Sequence, residues 1–383
     1  MSIFENCRCL IVGAGIWGSV LAERLASVAG IEVLVIDRRG HSGGNCHSAA
    51  DPETGIECHR YGTHIFHTKR REVWDYVNAF TGFNTYRHKV LTEYKGKVYP
   101  MPIGLETINS YYGLKLKPFE AEAFIRSEAE KEGIVEARNL EEKAVSLIGR
   151  PLYEAFIKGY TQKQWNKHPT ELPAAIITRL PVRTNYNFDY FDDPWQGMPL
   201  AGYHGLFDAM LKNDKISLRL GLDYKDIRQA LPADCRVFYS GAIDEFFDYS
   251  LGALEWRSLR FEEEVKQVAD FQGCAVMNQA EAELPYTRTH EYRHLHPERA
   301  YSDKATVIVR EYPQDYSGNA ERYYPVNTPG NQALLAQYQE LAAAKAPGVT
   351  FGGRLGSYRY LDMDMAIHEA LTLFASVMEQ GGI

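Results

Sequence analysis

One stretch near the N-terminus constrains the fold more than any other. Cys9-Leu10-Ile11-Val12 is a short apolar run, followed by Gly13-Ala14-Gly15-Ile16-Trp17-Gly18 and then by Val20, Leu21, Leu25 and Val28 at helical spacing; a second apolar run, Val33-Leu34-Val35-Ile36, ends at Asp37. Runs that are apolar at every position suit parallel strands covered on both faces, and two of them joined through a helix make a βαβ unit. An α/β chain is therefore expected. Gly13, Gly15 and Gly18 let the backbone turn tightly and come close to a bound group. The helix start offers free N–H groups to a pyrophosphate, and a carboxylate at the end of the second strand accepts from a ribose hydroxyl. A G-x-G-x-x-G alone is an ordinary glycine turn, but strand, helix and acid together predict a dinucleotide site.

Composition removes several other functions. With 383 residues, 45% of them hydrophobic, the chain can bury a large core divided among two or three domains. The formal net charge of -8 argues against a general nucleic-acid binder, so an anionic ligand has to meet a local arginine cluster. No apolar leader follows Met1, and no apolar run approaches the roughly 18 residues of a membrane helix. A cytoplasmic protein without membrane partners is expected. The six cysteines include no Cys-x-x-Cys pair, which suits a reducing compartment. Cys46-His47 and Cys58-His59, with His64 and His67 nearby, hold zinc-type atoms, but adjacent Cys-His members cannot easily face one ion, so no metal is expected.

Beyond the second strand, Arg39-Gly40-His41-Ser42-Gly43-Gly44-Asn45 resembles the motif of flavoproteins of the glutathione-reductase-like class, whose backbone runs beside FAD. FAD is thus favoured over NAD, with Asp37, Arg38, Gly44 and Asn45 beside it. No second glycine fingerprint follows, so a reductant such as NAD(P)H would come from outside. Residues 105–180 are rich in Glu, Ala, Lys and Leu at helical period and predict a small bundle. The tract 181–199 carries Pro, Asn, Asp and Gly without sustained period and predicts a mobile loop. Extended segments from about 250 to 325 predict an antiparallel sheet, and Ile367, Ala370, Leu371, Phe374 and Val377 share one helical face.

Further motifs carry a more specific resemblance. Tyr61-Gly62-Thr63-His64-Ile65-Phe66-His67-Thr68, Lys158 to Trp165, Ile177 to Arg183, Pro285 to Arg288, Tyr323 to Asn327 and Gly353 to Asp364 are similar, in order and across essentially the whole length, to the signature blocks of the bacterial UDP-galactopyranose mutases. The resemblance implies a Rossmann-like FAD-binding domain (1–86, 198–246, 326–383), an inserted helical domain (105–180) and an antiparallel sheet domain with the mobile loop (87–104, 181–197, 247–325), generally in a homodimer. It implies interconversion of UDP-galactopyranose and UDP-galactofuranose, used in cell-surface polysaccharide biosynthesis. The family's reaction passes through a covalent intermediate between N5 of reduced FAD and the sugar, with no net oxidation.

Residue by residue, the resemblance assigns Arg179 and Arg354 to the substrate pyrophosphate, where guanidinium charge stabilises the departing phosphate. His64 and Thr63 pack beside the flavin, the former through its carbonyl. Phe156, Tyr160 and Trp165, at spacings of four and five, offer aromatic surfaces to uracil or sugar. Tyr190, Tyr324 and Tyr360 donate hydroxyls to phosphate, Arg288 points toward the site, and His88 faces the substrate. Gly353, Tyr360, Asp362 and Met363 meet the isoalloxazine end of the cofactor, and Trp17 covers its pyrophosphate. No carboxylate is nominated as an acid or base. Three readings stay open: this mutase, acting on UDP-galactose or on UDP-N-acetylgalactosamine or a dTDP-6-deoxysugar; an amine-oxidase-type flavin oxidoreductase; and a non-catalytic nucleotide binder. Arg60, before the Tyr61 block, is the candidate for accommodating an acetamido group.

Overall fold

The computed structural model describes residues 7–177, 182–318 and 320–381. Strands β1 (Cys9–Val12) and β2 (Val33–Asp37) are buried at every position, as runs without polar alternation require, and helix α1 (Ile16–Ser27) joins them. Both lie inside a five-stranded, wholly parallel sheet in the order 349–351, 236–239, β1, β2, 216–220. Three of the five strands thus come from distant parts of the chain. Gly13, at φ +102°, ends β1, and its N–H bonds Ile36 O across the sheet at 2.8 Å. This φ favours glycine, and a side chain there would strike the Ser240 hydroxyl.

A seven-stranded sheet follows the order 324–325, 256–266, 306–315, 288–291, 276–279, 90–94, 97–101. Its neighbours run antiparallel except for 276–279 beside 90–94, which are parallel. The expectation of an antiparallel sheet therefore misses one pairing. The helices Leu105–Tyr112, Pro118–Glu130 and Leu140–Leu152 bury Ile108, Ile125, Leu140, Val145 and Ile148 against one another. Gly149, at φ +76°, breaks the last of them, and a wide π-helical turn, Tyr153–Lys158, leads into the short helix Gly159–Trp165. Trp195–Gly197, at the end of the aperiodic tract, pairs with Phe66–Thr68 and so ties that tract to the dinucleotide side. Among the described residues no helix is long and apolar enough to cross a membrane.

Candidate active site

At the C-terminal edge of the parallel sheet, two glycine turns press together. Gly43 N–H donates to Ala14 O at 2.8 Å, and Gly44, at φ +55°, lies so near Gly15 that an added Cβ would stand 3.1 Å from its Cα. The first turn of α1 contains no acidic residue, so its N–H groups face the cleft without a competing anion. Asp37 closes the end of β2: its two oxygens accept from Ala14 N–H at 2.9 Å and Arg39 N–H at 2.8 Å. Each oxygen keeps a lone pair for a further donor. Gly15 and Gly44 are therefore sites of close backbone approach at the cleft, and a dinucleotide fits a cradle that side chains would fill; Gly18, expected beside the cofactor, does not line the cleft but packs on the end of β1, where an added Cβ would stand 2.0 Å from Gly13 O.

Two expected cofactor residues sit differently from their neighbours. Arg38 is the more exposed arginine, within 3.4 Å of Glu321 and 3.8 Å of Glu245. Arg39 turns inward instead, pairing with Glu321 at 2.5 Å and Asn45 Oδ1 at 2.9 Å while its guanidinium lies 4.4 Å above the Tyr61 ring. Trp17 is 4% exposed, and a side chain on Gly352 would enter its indole. The tryptophan thus forms a wall beneath Gly352-Gly353, where those glycines are needed to admit it.

The cleft opens into a second cavity of about 510 Å³, and Asn45, His64, Arg354, Leu361 and Met363 line both. Helix Gly159–Trp165 brings Tyr160 and Trp165 to this cavity, strand Arg288–Glu291 brings Arg288, and Thr63, His88, Tyr190, Tyr324, Tyr360 and Asp362 complete the expected set. Asp362 is the N-cap of the helix Met363–Glu379. Phe156 is not among them. It is 5% exposed inside the helical core, with its ring against Tyr94, Tyr99 and Tyr111, because the π-helical turn shifts its angle relative to Tyr160. Arg179 lies outside the described residues. Arg60 does not line the cavity; it pairs with Glu263 at 2.8 Å.

Arg354 stands where the two cavities meet. Its guanidinium donates to Tyr323 O at 2.5 Å and Arg322 O at 2.7 Å, and among the described residues it has no carboxylate partner. Burial pushes its pKa down, with the Arg39 charge acting in the same direction and Tyr323 opposing. Arginine remains charged even so, leaving an uncompensated cation beside space for an anion. Arg288 faces Glu311 at 3.6 Å and lies 5.7 Å from the Tyr160 ring centre. The Tyr160 hydroxyl, Gln164 Oε1 and Asn278 Oδ1 are buried there without hydrogen-bond partners among the described residues. A polar ligand would satisfy them.

Two histidines at the cavity stay neutral. Burial pushes His64 down to about 4, opposed by the Gly62 carbonyl and assisted by Arg354; Nδ1 bonds that carbonyl at 2.8 Å. The carbonyl oxygen of His64 accepts from the Tyr203 hydroxyl at 3.1 Å, which fixes its direction. Burial, then Arg288, takes His88 to about 3.

The sequence reading missed a buried polar chain on the seven-stranded sheet. Thr63 Oγ1 meets His290 Nδ1 at 2.6 Å, His290 Nε2 meets Glu311 Oε2 at 3.2 Å, and Thr287 donates to Glu311 Oε1 at 3.2 Å. Burial alone would raise the Glu311 carboxyl, but Arg288, His290 and Thr287 together hold it at about 2. One local signal existed: Glu311 continues the period-2 row of Val307 and Val309, so a charge stands on an apolar face.

A parallel sheet with a glycine cradle at its C-terminal edge defines a Rossmann-type dinucleotide-binding protein, and the adjoining arginine-marked cavity gives it room for a second, anionic ligand. Residues 155–360 match the family described as UDP-galactopyranose mutase, and residues 11–80 match the NAD(P)-binding Rossmann-like domain. A probable UDP-galactopyranose mutase of Klebsiella pneumoniae is 44% identical over 371 residues, covering 96% of this chain and 94% of its own. A dTDP-fucopyranose mutase of Escherichia coli is 38% identical over 368 residues, covering 95% and 96%. The fold is similar to that in a crystal structure of reduced UDP-galactopyranose mutase, with a TM-score of 0.74 over 98% of this chain and 96% of that one at 14% identity. The chain belongs to the UDP-galactopyranose mutase family, and membership implies a flavin in the cleft.

Proposed function

We propose that this chain interconverts UDP-galactopyranose and UDP-galactofuranose with FAD as its flavin, reduced by an external donor such as NAD(P)H. The observation that carries the reading is Arg354, a half-buried guanidinium without a carboxylate partner among the described residues, at the junction of cofactor cleft and second cavity. When bound and reduced, the flavin supplies through N5 a nucleophile that holds the anomeric carbon while the sugar ring opens and recloses. The protein's own groups position the substrate and its charge. Arg354 receives the pyrophosphate, and Arg179 supplies the second cation. Tyr160 and Trp165 support the base, while Tyr190, Tyr324 and Tyr360 offer hydroxyls to phosphate. Arg288, balanced by Glu311, adds positive charge without leaving a second cation of the cavity unpaired. The His64 carbonyl, aimed by Tyr203, is available as an acceptor at the flavin end.

The test is turnover of UDP-galactofuranose by dithionite-reduced holoenzyme. Many turnovers without consumption of reductant support the mutase; stoichiometric consumption of an electron acceptor would make it an oxidoreductase, and tight binding without conversion a nucleotide binder. A second substrate has its own support in the E. coli dTDP-fucopyranose mutase, which is 38% identical over almost the full length. Comparing UDP- and dTDP-sugars side by side decides between them. We assign residues 1–86, 198–246 and 326–383 to the cofactor, 105–180 to the helical domain, and 87–104, 181–197 and 247–325 to the sheet with its lid. A homodimer is the proposed assembly. A cytoplasmic setting suits the six free cysteines.

A further inference from the structure

A neighbouring tyrosine fixes the hydrogen-bonding polarity of one cavity histidine. His88 lines the second cavity and is 6% exposed. Its backbone is held from both sides: the N–H donates to Gln196 Oε1 at 3.3 Å, and the carbonyl accepts from Tyr190 N–H at 2.7 Å. The Tyr190 and Phe191 rings enclose the imidazole, with centroids 5.6 and 5.8 Å away. On one edge Nδ1 lies 3.1 Å from the Tyr86 hydroxyl. The other nitrogen, Nε2, has no hydrogen-bond partner among the described residues.

A tyrosine hydroxyl can donate to Nδ1 or accept from it, so the surroundings decide. Burial keeps the Tyr86 phenol protonated, so its hydrogen needs an acceptor. If Nδ1 carried the hydrogen, the phenol proton would have no acceptor among the described residues, in a site where unmade hydrogen bonds are costly. If Tyr86 donates instead, its proton and Nδ1 are both satisfied. The ring hydrogen then sits on Nε2. A charged ring is disfavoured by burial and by Arg288, with His290 and His67 acting in the same direction.

We infer that Tyr86 is a positioning residue that holds His88 as the neutral Nε2–H tautomer, so that the cavity presents an uncharged donor to an oxygen atom of the sugar. The inference rests on the nucleotide-sugar reading of the cavity. A neutral donor suits a hydroxyl or ring oxygen and leaves the pyrophosphate to the arginines. His88 touches the substrate, and Tyr86 acts only through it.

The experiment is a double-mutant cycle on reduced holoenzyme with UDP-galactofuranose. Gln can place its amide nitrogen near the position of Nε2, whereas Asn reaches only that of Nδ1. His88→Gln is expected to keep a kcat/KM about tenfold above that of His88→Asn. Tyr86→Phe should raise KM about five- to tenfold with kcat within about threefold, because the contact serves ground and transition states alike. In the His88→Gln background Tyr86→Phe should cost less than about twofold, since an amide has no tautomer to fix. Equal impairment of the two His88 variants, or the same loss from Tyr86→Phe in both backgrounds, overturns the inference. Nitrogen-15 NMR of histidine-labelled holoenzyme adds a readout independent of turnover. Hydrogen on His88 Nε2, with Nδ1 hydrogen-bonded in wild type and released in Tyr86→Phe, supports it; hydrogen on Nδ1 refutes it. Absence of turnover by wild type would fail the functional reading, while the NMR result still decides the tautomer.

Discussion

Replacing Glu311 by Gln removes one charge from a position that is 1% exposed while nearly keeping its shape. The carboxylate is held by Thr287 and His290, each at 3.2 Å, and faces Arg288 at 3.6 Å. Burial opposes the charge, yet these three partners bring the carboxyl from 4.5 to about 2. At roughly 1.36 kcal/mol per pH unit, the ionised form is favoured by on the order of 3 kcal/mol, and Gln also leaves Arg288 less well compensated. The carboxyl is depressed in the fold, so its stabilisation is full above pH 4.5 and is lost as pH falls through about 2. Urea unfolding of cofactor-free wild type and Glu311→Gln should differ by about 3 kcal/mol at pH 7 and by the same amount at pH 5.5, with the gap narrowing below about pH 4.5. A difference under about 1 kcal/mol at pH 7, or one that stays constant down to about pH 3, would refute the reasoning.

Four further outcomes are expected. Arg354→Ala should lower kcat/KM by about two to three orders of magnitude in the mutase assay, and near-normal turnover would remove the residue from the pyrophosphate. Gly352→Ala pushes a methyl into the Trp17 indole and should cost about 1–3 kcal/mol, seen as a lower Tm and weaker flavin retention. Phe156→Leu should lower stability by about 1 kcal/mol while leaving KM unchanged, whereas a large rise in KM would return that ring to the substrate. His64 and His88 titrate at about 4 and about 3, so both are neutral in the fold; the stability they contribute is present above pH 6.5 and is lost as pH falls toward those values. His88→Gln should flatten that part of the urea-derived pH profile.

The βαβ unit was legible because its signals are local: apolar runs, glycines and a terminal acid all lie within one short stretch. Arg354 stood out through the motif around it, and Arg288, Tyr324 and Tyr360 through theirs. The Glu311 chain was not legible, because Arg288 and Glu311 become cross-strand partners only through a register set across intervening residues. The parallel pairing of 276–279 with 90–94 is non-local in the same way. Phe156 was misplaced for a different reason: spacing arguments assume 3.6 residues per turn, and a π-helical turn departs from that count. Tyr203 and Tyr86 act on histidines by hydrogen bonds from the side, which leave no periodic trace in a sequence.

The scattered origin of the parallel sheet bears on how the protein is made. β1 and β2 leave the ribosome early, but the strand that covers the far edge of 236–239 is residues 349–351, and the wall against Trp17 follows at once. Until that segment is synthesised, the nascent chain shows an open sheet edge, and its cofactor cradle lacks one side. Chains that stop short of residue 349 should therefore be colourless and fall to proteases, and flavin capture should come late in biosynthesis.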